Sequence, residues 1–435
     1  MPPELPAEGA GSRTILRAYP AYGWFWCARV ASGLAFQMQA VAVGWQIYDL
    51  THSTFQLGMV GLVQFAPIVL FTLVAGHVVD RYERRVVYGA ALAVQGISVC
   101  VLALGSWGHW LGVPGVFAMV AVIGAARAFQ CPATQALLPT LVPASVVPKA
   151  IAWATGAFQT ASIVGPTLGG LLYAFGVAVP YAVAGALALL GAVFIALMKV
   201  ERRGRVREPV SFSSLFSGVR YIQTHPVILG SISLDLFAVL LGGATALLPV
   251  YARDILRVGA WGLGALRSAP AIGSLAMSIA LVRWPPRRRV GHRMFAAVIA
   301  FGVATIVFGL ARSFALSFAA LVALGAADTI SVVIRSSLVQ LETPDEMRGR
   351  VGAVNSLFIG TSNQLGEFES GVTASLLGTV PATVLGGVGT LFVAVLWMRL
   401  FPSLLNFGGF ERRMPPEPAA RAQEETGAAP QPPKG

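Results

Sequence analysis

Long apolar runs alternate with short polar segments along most of the chain. Each run holds about 20 residues or more, which is the length of helix that crosses the hydrocarbon core of a bilayer. The pattern therefore predicts twelve membrane-spanning helices, called spans 1 to 12 in chain order. They cover residues 22–47, 55–79, 86–107, 114–139, 149–174, 178–199, 227–250, 260–283, 292–311, 314–340, 351–376 and 381–401.

The composition fits a membrane protein and excludes a soluble domain. Of the 435 residues, 56% are hydrophobic and only 11% are charged, and the mean hydropathy is +0.71. A soluble domain of this length carries far more charge. Cys27, Cys100 and Cys131 all fall inside predicted spans without metal-type spacing, so neither a disulfide framework nor a metal site is expected. The fold class is therefore an all-α membrane protein.

The positive charges predict the orientation of the chain. The net charge is +12, but the cations lie in short segments between spans, which is a topological pattern and not a groove for nucleic acid. An even number of spans places both termini on one side. If that side is the cytoplasm, the opposite face holds only Arg253, Arg257 and Arg312. Because loops rich in Lys and Arg stay in the cytoplasm, both termini are predicted to be cytoplasmic.

A polar segment over residues 201–225 divides the chain into halves. The predicted organisation is a cytoplasmic tail (1–20), a six-helix bundle (21–200), a cytoplasmic linker (201–225), a second six-helix bundle (226–402) and a disordered cytoplasmic tail (403–435). One constant offset relates the halves, placing Gly124 on Gly325, Gly165 on Gly366, Gly170 on Gly371 and Pro180 on Pro381. The halves are therefore pseudo-symmetric with the same orientation. This duplication is typical of secondary transporters that bind substrate near the midplane between halves.

Charged side chains inside the spans are the first functional candidates. They are Arg29, Arg127, Asp235, Arg267, Asp328, Arg335, Glu367 and Glu369. Such charges are costly in a bilayer and normally face a wet cavity or the bundle interior, although any one of them could belong to a structural ion pair. A carboxyl group can gain and lose a proton as its hydration changes, whereas arginine stays charged. The proton-coupling candidates are therefore Asp235, Asp328, Glu367 and Glu369. Arg127 and Asp328 occupy equivalent positions of the repeat, so a charge pair between them is also expected.

A charged loop, GHVVDRYERR at residues 76–85, joins spans 2 and 3. Its spacing, Gly-x-x-x-Asp-Arg-x-x-Arg-Arg, resembles the signature loop between helices 2 and 3 of the major facilitator superfamily. The family usually has a further glycine where Tyr82 and Glu83 stand. The resemblance implies that Gly76 permits close helix approach and that a cytoplasmic gate is formed by Asp80, Arg81, Arg84 and Arg85. An ordinary positively charged cytoplasmic loop is the alternative.

Span 5 carries a run of small residues, GPTLGG at 165–170. Small residues allow close helix packing, and the proline permits a kink. The spacing resembles the superfamily's antiporter motif, which is associated with exporters, through Ala152, Ala161, Gly165, Pro166, Gly169 and Gly170. The family has glycine where the two alanines stand. In the equivalent stretch of the second half, Glu367 replaces the proline, and this favours Glu367, jointly with Asp235, as the proton site.

Several stretches resemble one subfamily more closely, namely residues 28–32, 60–65, 126–130, 234–237 and 343–371. They are similar to the enterobactin-exporter group, also called transmembrane secretion effectors, and the resemblance covers nearly all of residues 15–405. It implies proton-coupled export of siderophores or related secondary metabolites. In the superfamily, helices 1, 4, 7 and 10 line a central cavity. The implied cavity and substrate-binding residues are Arg29, Gln37, Gln39, Arg127, Gln130, Arg335, Asn355 and Asn363.

These features predict a monomeric, proton-driven exporter of a small amphipathic molecule in the bacterial inner membrane, working by rocking two bundles. No cofactor or metal is expected, and no nucleotide either, because the chain lacks a Gly-x-x-x-x-Gly-Lys-Ser/Thr phosphate loop. A broad-specificity drug or macrolide efflux pump is the first alternative, and an importer or facilitator is the second. An enzyme is not expected, because the five histidines form no evident catalytic or metal-binding cluster.

Overall fold

A computed structural model describes Leu16 and residues 18–198, 212–285 and 288–409. In this part of the chain the regular structure is entirely helical. The charged start of the predicted linker, residues 199–211, lies outside the described residues, as do most of the predicted N-terminal tail and the C-terminal tail from residue 410.

The first half forms six long helices, each matching one predicted span to within a few residues. They are α1 (Pro20–Thr51), α2 (Thr54–Arg81), α3 (Arg84–Trp107), α4 (Val113–Leu141), α5 (Val147–Tyr173) and α6 (Ala178–Leu197). A short helix, α7 (Phe212–Thr224), leads into the second half. That half contains α8 (Pro226–Leu241), α9 (Gly259–Arg283), α10 (Val290–Leu310), α11 (Phe314–Glu342), α12 (Asp345–Leu377), α13 (Thr379–Leu400) and the single turn α14 (Pro402–Leu405).

Within the described residues, nine helical segments have the length and apolar composition needed to cross a membrane. They are Thr54–Thr72, Arg84–Trp107, Val113–Leu141, Ala178–Leu197, Pro226–Ile255, Gly259–Arg283, Val290–Leu310, Phe314–Glu342 and Thr379–Leu400. The other three long helices, α1, α5 and α12, are less apolar because they carry polar residues such as Gln39, Gln159 and Glu367. The count of twelve spans stays a prediction.

Prolines and capping residues set the helix ends. Pro20 and Pro226 lie in the first turns of α1 and α8, where the missing backbone N–H is not needed. Ser53 caps α2 by accepting a hydrogen bond from the backbone N–H of Gln56 at 3.3 Å. Gly378, with φ of 90°, allows the sharp turn from α12 into α13. Local chemistry therefore explains why long helices alternate with tight turns.

The predicted span 7 is not one continuous helix. Helix α8 ends at Leu241, and the chain continues through Gly242 and Gly243 into the short turns Ala244–Leu247, Leu248–Val250 and Tyr251–Ile255. A Cβ at Gly243 would lie 2.6 Å from the carbonyl carbon of Gly366. The glycine pair thus ends the helix and lets the chain approach α12 next to Glu367.

The two halves contact each other mainly through two helix pairs. Helices α1–α6 pack largely among themselves, as do α8–α13, while α2 packs on α12 and α5 packs on α9. Small residues allow both crossings. A Cβ at Gly58 of α2 would lie 3.0 Å from the Cα of Gly371, and one at Gly170 of α5 would lie 3.0 Å from the Cα of Gly264.

The same helices separate toward the end of the molecule that carries the charged loop 76–85. A Cβ at Gly76 in α2 would meet no heavy atom within 4 Å among the described residues, and the same holds for Gly156 in α5 and for Gly349, Gly352 and Gly360 in α12. Gly76 therefore does not mediate the close helix approach that the sequence predicted, because α2 and α12 meet at the opposite end in this conformation.

Candidate functional site

A cavity of about 340 Å³, here called the central cavity, lies between the halves. Its two charged lining residues are Asp328 of α11 and Glu367 of α12, and Asn363 lies one turn before Glu367. The first half contributes Gln159 and Ser162 of α5. The cavity therefore brings together polar side chains that lie far apart in the sequence, and includes two predicted proton-coupling acids.

A second, much smaller cavity of about 40 Å³ lies beside Glu367 and is called the small polar cavity. Its polar lining residues are Gln39 of α1, Gln64 of α2, Arg267 of α9 and Glu367. Glu367 reaches it because Gly61 leaves room: a Cβ there would lie 2.8 Å from Oε2 of Glu367. Sequence reasoning identified the Arg267 charge but assigned it no role.

A third cavity, of about 390 Å³, lies within the first half at the end that carries the charged loop. It is formed by the start of α1, the end of α4 and the start of α5, and Arg29 is its only charged lining residue within the described chain. Arg29 thus lines a cavity within the first half and not the central cavity for which it was predicted.

Asp235 and Arg335 form an ion pair between α8 and α11. Both are buried, at 6% and 1% exposure. The sequence assigned Asp235 to the proton site and Arg335 to the substrate, but neither lines the cavities described above. Their mutual contact supports the structural alternative for these two residues.

The expected pair between Arg127 and Asp328 is not among the ion pairs of the described residues. The guanidinium of Arg127 instead lies over the ring of Phe36 in α1, with Cζ 3.5 Å from the ring centroid. Asp328 faces the central cavity. Two positions that the predicted repeat makes equivalent therefore have different environments.

Two of the five predicted neutral cavity residues join helices within the first half. Gln37 donates to Ser162 Oγ at 3.0 Å, joining α1 to α5, and Gln130 donates to Gln95 Oε1 at 2.7 Å, joining α4 to α3. Glu369, the fourth acid, accepts from Thr373 in its own helix at 2.7 Å. Asn355 precedes Asn363 in α12 and lines none of these cavities. Gln39 lines the small polar cavity, and Asn363 lines the central cavity.

The antiporter-like run in α5 divides between two interfaces. Gly165 and Gly169 pack on α1, where added Cβ atoms would lie 2.6 Å from the Cβ of Gln37 and 3.0 Å from the Cα of Met38, and Ala161 packs there against Gly33. Pro166 and Gly170 face α9 at Gly264. Ala152 is exposed and takes no part in either contact.

The charged loop is held to its own half. Arg84 donates to the carbonyl oxygen of Ala136 at 3.1 Å, while Arg85 binds the carbonyl oxygen of Met198 and pairs with Glu83 at 3.2 Å. Asp80 and Arg81 are exposed and join none of the ion pairs among the described residues. Among the residues that the structure describes, the predicted gate residues therefore make no ion pair across the halves in this conformation.

The opposite end is closed by polar contacts that the sequence reasoning missed. Asp49, at the end of α1, pairs with Arg253 at 2.6 Å, and the Tyr48 hydroxyl donates to Asp254. Both contacts join the first half to the second. The Asp49–Arg253 and Tyr48–Asp254 contacts are together called the end pair below. Asp49 follows span 1 and Arg253 follows span 7 on the face that has few cations, and this placement of opposite charges could have indicated their contact.

Comparison with protein families identifies one match over most of the chain. A sequence model of the Major Facilitator Superfamily matches residues 25–367. Curated relatives named enterobactin exporter EntS, from Escherichia coli K12 and Shigella boydii serotype 18, are 25% identical over 413 residues. The alignments cover 94% of this chain and 97% of each relative.

Solved structures show the same fold at low identity. A POT family transporter in complex with a thioalcohol-conjugated peptide has a TM-score of 0.72 and 12% identity, covering 88% of this chain and 96% of its own. A bacterial homologue of the human lysosomal transporter Spinster, in an inward-facing and occupied conformation, has a TM-score of 0.69 and 14% identity, with coverages of 92% and 99%.

Proposed function

Since the chain belongs to the major facilitator superfamily, whose members are membrane transporters and not enzymes, we propose that it is a proton-coupled exporter. The chain is an integral protein of the bacterial inner membrane. The proposed cargo is a small amphipathic molecule, a siderophore or related secondary metabolite. This cargo is supported by the relatives named enterobactin exporter, which align over 94% of the chain.

The main support for proton coupling is that two acids line one cavity between the halves. Asp328 and Glu367 both line the central cavity, and its other lining residues within the described chain are uncharged. An acid that meets water in one state and is enclosed in another can load and release a proton, as coupling requires. Asp235 is less suited to this task because Arg335 already neutralises it.

The contacts between the halves support the proposed alternating access. The proposed architecture is twelve spans in two six-helix bundles, with both termini in the cytoplasm. The end pair then closes the outer side, and the separation at Gly76 and Gly360 opens the molecule toward the cytoplasm. In the reverse state, the loop with Asp80, Arg81, Arg84 and Arg85 would close the cytoplasmic side.

The proposed ligand contacts use two cavities that are large enough for a small molecule, the central cavity and the third cavity, which Arg29 lines. Arg29 would receive an anionic or polar group near the cytoplasmic opening, while Asn363 and Gln159 would offer hydrogen bonds in the central cavity. Arg127, stacked on Phe36, would present a cation to aromatic or anionic groups only if that contact opened.

The test is transport by purified protein in proteoliposomes that contain a pH-sensitive dye. With an acidic lumen, the wild type should accumulate enterobactin and release protons. Glu367→Gln and Asp328→Asn should each lose gradient-driven accumulation, because a neutral amide carries no proton, yet keep exchange of enterobactin across the membrane.

Glu369→Gln is the matched control, because Glu369 is on the same helix but outside the central cavity. It should keep driven transport. Full driven transport by both Glu367→Gln and Asp328→Asn would overturn the coupling assignment. Accumulation of a macrolide in place of enterobactin would support the drug-efflux alternative and overturn the siderophore assignment.

A further inference from the structure

Glu367 occupies a position shared by two cavities. Of the described residues that line the central cavity and the small polar cavity, it alone borders both. On one side lies a space of about 340 Å³ with Asp328, and on the other a space of about 40 Å³ with Arg267. Glu367 is therefore part of the wall between a cavity large enough for a small ligand and one large enough only for a few waters.

The small polar cavity has the properties of a water site. A buried water needs roughly 10–15 Å³ of such space and two to four polar partners, so this cavity has room for about three waters. Gln39 is only 1% exposed, and its Oε1 has no hydrogen-bond partner among the described residues. A buried oxygen without a partner is costly, and water in this cavity would satisfy it.

Arg267 and Glu367 face this space together. Their charges are close enough to attract each other, yet none of the ion pairs between described residues joins them. The lining from α1, α2, α4 and residues 246–249 adds no other charge, and Asp328 faces Glu367 only from the central cavity. Water between guanidinium and carboxylate would connect the two groups.

The small polar cavity also lies close to the closed end of the molecule. Gly44 and Pro249 line it, and Asp49 and Arg253 of the end pair follow about one helical turn later in each segment. The small polar cavity thus lies about one helical turn further into the molecule than the end pair.

We propose that the small polar cavity is a water site through which Glu367 exchanges its proton with the closed end of the molecule, separately from the substrate cavity. A hydronium at the closed end passes a proton through the cavity water to the Glu367 carboxylate, which becomes the neutral acid, and Arg267 stabilises the carboxylate before it is loaded. Arg267 is then a positioning residue. The inference rests on the proposed proton coupling and gives the proton a route of its own.

Gly44→Ala tests the route with a single methyl group. A Cβ at Gly44 would lie 3.5 Å from Cγ of Pro249 and 4.0 Å from Nη1 of Arg267, which are ordinary contacts, so the helix can accommodate it while the methyl displaces water. Gly191→Ala is the control, because its Cβ also fits, with a closest approach of 3.4 Å, and it borders neither cavity. Alanine favours helix over glycine, so both variants should fold.

The first measurement detects the water itself. Radiolytic hydroxyl-radical labelling followed by mass spectrometry should modify Leu57 and Pro249 in the wild type, because radicals form from the adjacent water. Gly44→Ala should lose this labelling and Gly191→Ala should keep it. Absence of labelling in the wild type would overturn the water site.

The second measurement is enterobactin transport in the proteoliposomes described above. Gly44→Ala should fall to the driven-transport level of Glu367→Gln while exchange of enterobactin is kept, and Gly191→Ala should match the wild type. Unchanged driven transport by Gly44→Ala would overturn the separate route. If the wild type moves no protons, the proposed coupling fails, whereas the labelling result still decides the water site.

Arg267 is tested by charge. Arg267→Lys keeps a cation on the cavity and should retain most driven transport, whereas Arg267→Met should lose it with exchange preserved. Equal driven transport by the two variants would contradict the positioning role.

Discussion

At the scale of single residues, burial and partners distinguish four acids that the sequence grouped together. Glu369 accepts a hydrogen bond within its own helix, and Asp235 is paired with Arg335. Asp328 and Glu367 border a cavity. A proton carrier must meet water at some stage of its cycle, and the central cavity gives Asp328 and Glu367 surroundings that fit this proposed role.

The buried ion pair predicts a stability effect. Asp235→Asn leaves the Arg335 guanidinium buried without a counter-charge, which should destabilise the protein by about 3–5 kcal/mol. Thermal unfolding in detergent should show this as a clear fall in Tm. The double variant Asp235→Leu with Arg335→Met should recover most of the loss, because no charge then remains to be buried. An unchanged Tm in Asp235→Asn would contradict the structural role.

At the scale of helices, glycine positions decide where the halves approach each other. Helix α12 has glycines of both kinds. Gly371 faces the backbone of α2, while Gly349, Gly352 and Gly360 have no neighbouring heavy atom within 4 Å of a Cβ among the described residues. Helix α12 therefore has one end in close contact with the first half and one open end. The proposed alternating access needs such an arrangement, because the halves then pivot about the contact end.

Gly371→Ala should disturb the contact end. Its Cβ would lie 2.6 Å from the Cα of Gly58 and 2.8 Å from the carbonyl oxygen of Thr54, and backbone atoms cannot move aside cheaply. Overpacking of this kind should destabilise the protein by about 1–3 kcal/mol and lower transport. Gly360→Ala, on the same helix, should be neutral or stabilise by up to about 1 kcal/mol. Thermal unfolding of both variants measures the difference, and equal Tm values would refute the contact.

At the scale of the whole molecule, the two ends are held by different groups. The end pair closes one end. At the other end, the charged loop contacts carbonyl groups and a glutamate of its own half among the described residues. The proposed alternating-access cycle interconverts this state and its reverse. Each set of charges should therefore stabilise one of the two states and shift their populations when removed.

Loss of the end pair should open the closed end. In a variant without native cysteines, Leu57→Cys reports on that end because Leu57 is buried and lines the small polar cavity. Asp49→Asn or Arg253→Gln should raise its labelling by an impermeant maleimide added outside spheroplasts. The pair is partly exposed, so the increase should be at most about fivefold.

Asp80→Asn should have the opposite effect and lower the labelling of Leu57→Cys from outside, because it removes a charge expected to stabilise the reverse state.

Arg257→Gln is the control for the end-pair variants, since it removes an exposed charge that lies near the end pair but outside it. Labelling of Leu57→Cys only from the cytoplasmic side would show that the predicted orientation is wrong.

The sequence by itself determined the properties that depend on composition and linear order. Apolar length predicted where the long helices lie, and the constant offset that places Gly165 on Gly366 predicted a repeat. The loop 76–85 and the run 165–170 indicated the superfamily, which the comparison confirmed. These features could be read directly because a helix that crosses a bilayer needs a minimum apolar length whatever its neighbours are.

Only the tertiary structure decided which charged groups meet. Asp235 and Asp328 each appear in the sequence as one acid in an apolar run, yet one pairs with Arg335 and the other lines the central cavity. The small polar cavity needs α1, α2, α9 and α12 to bring Gln39, Gln64, Arg267 and Glu367 together. A helix that is apolar on nearly every face does not specify its own rotation, so close glycine contacts and packing against neighbours determine which side chain faces protein, lipid or water.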